Sequence, residues 1–229
     1  MNKRLKVILS HISDGIGVID VGTDHGYIPA ALAEGGYTGK IIASDINVGP
    51  LESARRNAEE MGVLDHIEFL LCDGLEKCDP SIIDTIVIAG MGGDTICGIL
   101  DRAEWCIAPG YKLILQPMTK TEILRFWLIN NGFKIISEEY VRDGNLYQIL
   151  AAEFGPSVRY SDAELYTGKY EMVCLDGLFP EYLGKLIRRF EYEDQAMKSA
   201  ETVRDDLRSQ FGRQIINELH EMRDRLEKH

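Results

Sequence analysis

The sequence predicts an α/β fold: a parallel sheet covered by helices, closed by an antiparallel hairpin and followed by a separate helical region. Three observations carry this. Over the first ~155 residues, short β-branched runs alternate with segments whose apolar residues recur at helical spacing. Then two apolar runs flank Arg142-Asp-Gly-Asn145, and an Asp-Gly pair between strands is a strong hairpin signal. Finally, Gly155-Pro-Ser157 breaks the pattern, and beyond Pro180 the chain is charge-rich and helix-periodic. The expected domains are 1–157 and 158–229.

The elements follow in order. Leu5, Ile8, Leu9 and Ile12 mark an amphipathic opening helix. Gly17–Val21 is the first strand and Pro29–Glu34 an Ala-rich helix broken by Gly35-Gly36. A second strand, Lys40–Ser44, ends at Asp45. Helix Pro50–Met61 stops at Gly62, and a third strand, Ile67–Leu71, runs into Cys72-Asp-Gly74. Ile82–Ala89 is almost wholly apolar and reads as a buried fourth strand, followed by helix Ile96–Ala103. Tyr111–Leu115 is the fifth strand, stopped by Gln116-Pro117. Thr119–Asn131 is a helix with Ile123, Phe126, Trp127 and Asn130 in one stripe, and Phe133–Tyr140 with Leu146–Phe154 form the hairpin. In the tail, Leu183, Leu186, Ile187 and Phe190 form one stripe. Leu207, Phe211, Ile215, Leu219, Met222 and Leu226 form another, which fits a coiled-coil-like pair of antiparallel helices turning near Ser199–Asp205.

Composition excludes several classes. Of 229 residues, 45% are hydrophobic and 27% charged, within the globular range. No run approaches the ~20 apolar residues of a membrane span. Met1–Ser13 has no signal-peptide core, so a cytoplasmic protein without membrane attachment is expected. The five cysteines are never closer than six positions, which argues against a disulfide scaffold or a zinc site. The net charge of −12 argues against a general nucleic-acid coat. Residues 1–158 carry 13 basic against 22 acidic residues, and 159–229 carry 12 against 15, so the tail is less acidic.

Chemistry concentrates in Asp20-Val-Gly-Thr-Asp-His-Gly26, between the first strand and the next helix. A dinucleotide fold places GxGxxG here, with pyrophosphate on the helix N-terminus. This sequence has DxGxDxG instead. A carboxylate beside pyrophosphate is repelled, whereas beside an ammonium or sulfonium it is attracted, which favours S-adenosylmethionine (SAM) over NAD. Asp45, at the tip of the second strand, suits a bidentate contact to ribose hydroxyls, and Asp73, after the third, suits the adenine amino group. Each carboxylate alone could simply cap a helix. Three at successive strand tips converge on one crevice.

Ala89-Gly-Met-Gly-Gly93 follows the fourth strand, and its small residues let a flat group lie against backbone. Gln116 at the fifth strand offers a polar amide to the same crevice. The expected cofactor-binding residues are Asp20, Gly22, Thr23, Asp24, His25, Gly26 and Tyr27, with Asp45 and Ile46, Cys72, Asp73 and Gly74, and Ala89, Gly90, Met91 and Gly92. Asp24, Met91 and Gln116 are the expected catalytic residues. No metal is expected.

With these residues assembled, the chain resembles the TrmK family, bacterial tRNA (adenine-N1)-methyltransferases acting at tRNA position 22. The resemblance rests on Asp20-Val-Gly-Thr-Asp-His-Gly-Tyr-Ile-Pro29, Gly49-Pro50, Asp73-Gly-Leu-Glu76, Ala89-Gly-Met-Gly-Gly93 and Leu113-Ile-Leu-Gln-Pro117. It covers Leu5 to about Phe154 and is looser in the tail. Family members carry Glu where this chain has Asp45. It implies a class I SAM-dependent methyltransferase, a Rossmann-like seven-stranded sheet of order 3-2-1-4-5-7-6, and a C-terminal coiled-coil domain that helps hold tRNA.

Neutral adenine N1 has a free lone pair, so its methylation needs no obligatory proton abstraction, and the product ring is cationic. A carboxylate nearby stabilises that charge. Asp24 is assigned that role, or a contact to the methionine ammonium, with His25 on the same wall; as a helix N-cap it would do neither. Tyr27 is a stacking partner for a target adenine drawn out of its stack. Candidate phosphate contacts are Lys3, Arg4, Lys6, Lys185, Arg188 and Arg189, and a monomer is expected. A methyltransferase of a small molecule or protein and a non-catalytic SAM-binding module remain as alternatives.

Overall fold

The computed structural model describes residues 2–199 and 206–228. It forms two compact units, Met1–Val158 and Arg159–His229.

The first unit is a seven-stranded sheet of order β3-β2-β1-β4-β5-β7-β6. Its strands are β1 (Gly17–Val21), β2 (Lys40–Asp45), β3 (Glu68–Leu71), β4 (Thr85–Gly92), β5 (Lys112–Thr119), β6 (Phe133–Asp143) and β7 (Asn145–Phe154). The first five pair in parallel, and β7 runs antiparallel to both β5 and β6. Both faces are apolar, as a parallel sheet covered on two sides requires. Val18, Val87, Ile114 and Ile149 belong to one buried cluster with Ile8 of α1 (Lys3–Ser10), Ile28 and Leu32 of α2 (Tyr27–Glu34) and Ala58 of α3 (Val48–Glu60). The alternate residues Ile19, Ile86, Ile88, Leu113 and Leu115 are equally buried. The helices packed there are α4 (Gly93–Asp101) and α5 (Thr121–Asn130).

Several expectations shift. The fourth strand begins at Thr85 rather than Ile82, because Pro80–Ile82 is a 3-10 turn in which the Asp79 carboxylate accepts the Ser81 N–H at 2.9 Å. It then runs on through the glycines to Gly92, with register shifts on both sides of Met91. Pro117 does not stop β5. The strand continues to Thr119, because β7 pairs only with Lys112–Leu115 and leaves that side of Pro117 free of a ladder partner.

The α5 stripe is also corrected. Ile123 and Phe126 are exposed, at 43% and 60%, while Leu124, Arg125 and Leu128 are wholly buried. The face is turned because Arg125 lies inside, its Nε 2.6 Å from Glu138 of β6, with side chains only 1% and 3% exposed. A cation at a core position hides the apolar period.

The second unit contains α6 (Asp162–Thr167), α7 (Tyr170–Val173), α8 (Phe179–Ser199) and α9 (Asp206–Leu226). Leu183, Leu186, Ile187 and Phe190 of α8 and Ile215, Leu219 and Met222 of α9 are buried, whereas Phe211 is 48% exposed. The expected turn at 199–205 lies almost wholly outside the described residues, as does the side chain of Leu207. Helix α6 is opened by a capping box in which Ser161 and Glu164 satisfy one another's backbone N–H groups.

Candidate cofactor and acceptor site

The carboxyl ends of β1, β2 and β4 open into a crevice, where open α/β sheets bind ligands because the strand order reverses there. A cavity of about 680 Å³ is lined by Asp45, Ile46, Cys72, Asp73, Gly74 and Met91, among others. A second, of about 340 Å³, is lined by Arg4, Asp20, Thr23, His25, Tyr27 and Met118, among others. Gly22, Asp24, Ala89 and Gly90 line both. Of the residues expected from sequence, Gly26, Gly92 and Gln116 line neither.

The β1–α2 loop is built by its backbone. The N–H groups of Gly22 and Thr23 both donate to the Ser44 carbonyl, at 2.8 and 2.9 Å, tying the loop to the end of β2. Gly22 has φ +74°, which strains any residue with a side chain, and a Cβ there would also fall 2.2 Å from Met91 Cε and push that side chain aside. Asp24 has φ +45°, a conformation that Asp tolerates better than most residues. Its side chain is 76% exposed. It does not cap α2: Gly26 is the N-cap, with no side-chain cap bond. The Asp24 carboxylate is therefore not spent on the helix: its Oδ2 lies 3.8 Å from His25 Nε2, and the residue lines both cavities.

Asp20 is 5% exposed, and its Oδ2 accepts the Thr23 hydroxyl at 2.7 Å. Burial pushes its carboxyl up to about 6, the Thr23 bond opposes this, and the nearby Asp45 charge adds to it. Asp45 Oδ1 accepts the Asn47 N–H at 2.8 Å, and its backbone carbonyl accepts the Cys72 N–H at 3.0 Å, which holds the β2 and β3 tips together. Ile46 is 60% exposed above them. Asp73 is already engaged: Arg102 Nη2 lies 3.0 Å from its Oδ1, and Arg102 Nε lies 3.3 Å from Glu76. Gly74 has φ +57° and faces Ile99, which a Cβ would approach to 2.9 Å. Tyr27 is half exposed, and its ring lies 5.5 Å from that of His25.

Two expected roles change place. Gln116 is wholly buried and presents no polar atom to the crevice: its Oε1 accepts from Arg4 Nη1 at 3.1 Å, and its Nε2 donates to the Pro117 carbonyl at 2.9 Å. Arg4, expected as a surface phosphate contact, is instead half-buried and lines the smaller cavity, whereas Lys3 and Lys6 are exposed. Arg102 was missed altogether, since a lone arginine after a helix carries no sequence signal. Among the tail cations, Lys185 pairs with Glu181 at 3.0 Å and Arg189 with Glu193 at 2.9 Å, each four residues apart on α8, and Arg188 is exposed.

Comparison with known proteins adds a family to this geometry. Residues 1–150 match a family model described as a methyltransferase domain. The tRNA (adenine(22)-N(1))-methyltransferase of Bacillus subtilis (strain 168) is 35% identical over 156 residues, covering 68% of this chain and 66% of that one. The crystal structure of the B. subtilis m1A22 tRNA methyltransferase TrmK superposes with a TM-score of 0.78 at 26% identity, covering 100% of this chain and 97% of that one. Sp1610 of Streptococcus pneumoniae, solved in complex with S-adenosyl-L-methionine, superposes with a TM-score of 0.82 at 29% identity, covering 97% and 99%. With its strand order, its glycine-built β1–α2 loop and its Ala89–Gly93 segment, the chain belongs to the methyltransferase-domain family and, within it, to TrmK.

Proposed function

We propose that this protein is a SAM-dependent tRNA (adenine-N1)-methyltransferase acting at position 22. The observation that carries the reading is the convergence of Asp20, Asp24, Asp45 and Asp73 with the Ala89–Gly93 backbone around one crevice. The donor set fits the cofactor. Carboxylates that range from buried Asp20 and Asp45 to exposed Asp24 suit a ligand with ammonium, sulfonium and ribose hydroxyl groups, and Ile46 and Ile99 offer apolar faces to an adenine. Nothing in the loop offers GxGxxG to a pyrophosphate.

In this reading SAM supplies an electrophilic methyl group. Asp45 accepts from the ribose hydroxyls and Asp73, oriented by Arg102, accepts from the adenine amino group. Asp20 with Thr23, Gly22 and His25 shape the amino-acid end, with Gly26 turning the chain into α2 behind them, while Cys72 and Gly74 form the floor beside the adenine. On the acceptor side, Tyr27 stacks against the target base, and Met91 with Ala89 and Gly90 holds it flat, while Gly92 turns the chain into α4 behind them. Asp24 accepts from the N6 amine and stabilises the cation that N1 methylation creates. Displacement at a neutral N1 needs no base, so no side chain must take a proton from it.

Residues 1–157 are proposed as the catalytic domain and 158–229 as a coiled-coil-like helical domain that helps hold tRNA in the cytoplasm. Lys3 and Lys6 of the first domain and Lys185, Arg188 and Arg189 of the second are the proposed phosphate contacts. Exposed pairs such as Lys185–Glu181 are worth only a few tenths of a kcal/mol and yield to phosphate. Among the described residues no helix is long and apolar enough to cross a membrane.

Incubation with SAM and unmodified tRNA, followed by nucleoside mass spectrometry, tests the proposal. The expected product is 1-methyladenosine, lost when position 22 is changed from adenine. Methylation of another nucleoside, or none, rejects it.

A further inference from the structure

Charge around the crevice is unevenly compensated. Arginine is the cationic residue type lining its two cavities besides His25, and it occurs twice. Arg102 is neutralised by Asp73 and Glu76. Arg4 is not: among the described residues no carboxylate lies within ion-pair distance of it. Its guanidinium is held by neutral groups instead. Nη1 donates to Gln116 Oε1 at 3.1 Å and lies 3.7 Å from Met118 Sδ, and the guanidinium carbon lies 5.1 Å from the centre of the Tyr147 ring. Its Nε is buried and has no partner.

This is an expensive arrangement for a structural residue. A buried amide, Gln116, is held in place by its bond to the Pro117 carbonyl and gives its acceptor to a cation that no carboxylate among the described residues neutralises. The carboxylates nearby account for the cationic ends of a ligand, but a zwitterionic amino acid or a nucleotide also brings an oxyanion. A planar guanidinium suits one with two oxygens.

We propose that Arg4, positioned by Gln116, is the oxyanion-binding group of the crevice. This rests on the methyltransferase reading. Two ligands carry the required group: the α-carboxylate at the amino-acid end of the donor, and a backbone phosphate of the target nucleotide.

The test compares wild type with Arg4→Ala, Arg4→Lys and Gln116→Leu. S-adenosylhomocysteine and its analogue lacking the α-carboxylate are titrated calorimetrically, and kcat and KM are measured with unmodified tRNA. If the donor carboxylate is bound, Arg4→Ala weakens S-adenosylhomocysteine about tenfold or more, and the carboxylate-free analogue binds both proteins equally. If a phosphate is bound, donor affinity is unchanged and the KM for tRNA rises about tenfold, with a shallower salt dependence. In either case Gln116→Leu shifts the same parameter less, and Arg4→Lys restores part of it. Should Arg4→Ala fail to fold, Arg4→Gln gives the same readings. Wild-type donor affinity and tRNA kinetics in the folded Arg4 variants overturn the proposal. A wild-type protein that binds no S-adenosylhomocysteine and methylates no tRNA overturns the reading beneath it.

Discussion

Two polar centres of the catalytic unit are built on opposite principles. Between α5 and β6, Arg125 and Glu138 are both buried and lie 2.6 Å apart, closing their charges on one another. At the crevice, Asp20 and Asp45 are buried side by side as like charges, and Asp24 is held at positive φ. The first arrangement is satisfied by the protein itself. The second is satisfied only when a ligand supplies what is missing, and strain and uncompensated charge of that kind gather at functional sites.

The contrast is broken most forcefully at Arg125. Removing one partner of a buried pair strands the other, so Arg125→Met should lower stability by about 3–5 kcal/mol in urea unfolding. Donor affinity of the folded fraction should be unchanged. The converse belongs to Asp45→Ala: an unfolding midpoint at or above wild type, because a like-charge neighbour of Asp20 is gone. Donor affinity should fall about tenfold to a hundredfold by calorimetry, the value of charge-assisted hydrogen bonds.

Asp20 sharpens the comparison through pH. Its folded-state carboxyl sits near 6, above the ordinary value of 3.8. Its contribution to the stability of the ligand-free protein is therefore most favourable below 3.8 and is lost as pH rises through about 6. Donor binding runs the other way, since a cationic ligand needs the ionised form: affinity should be full above pH 7 and fall about tenfold per unit below 6. Asp20→Asn should flatten that profile.

The smallest effect belongs to the second unit. Ser161→Ala removes half of the capping box of α6 and should cost about 1 kcal/mol in thermal unfolding, with catalysis of the first unit unaffected.

What the sequence made legible divides along the same line. The β1 strand was read to its exact ends, because a short apolar run between glycine-rich turns leaves no alternative register. The Asp-Gly hairpin was plain for the same local reason: Gly144 supplies φ +72°. The carboxylates of the crevice were visible as acidic residues at strand tips. Arg125 was not legible, since its burial depends on a partner thirteen residues away, and it turned the apparent face of α5. Arg4 and Gln116 lie 112 positions apart, and only the folded sheet brings them together. Their spacing carries no signal, so one was read as a surface cation and the other as a crevice amide. Helix α6 was missed although Ser161-x-x-Glu164 announces it, because the apolar residues behind it are too few to show a period.

The most direct measurement is a calorimetric titration at pH 7.5 of wild type and Asp45→Ala with S-adenosylhomocysteine, beside NADH. The account predicts saturable uptake of S-adenosylhomocysteine by wild type, sharply weakened in the variant, and none of NADH. Tight binding of NADH with no heat from S-adenosylhomocysteine would contradict it.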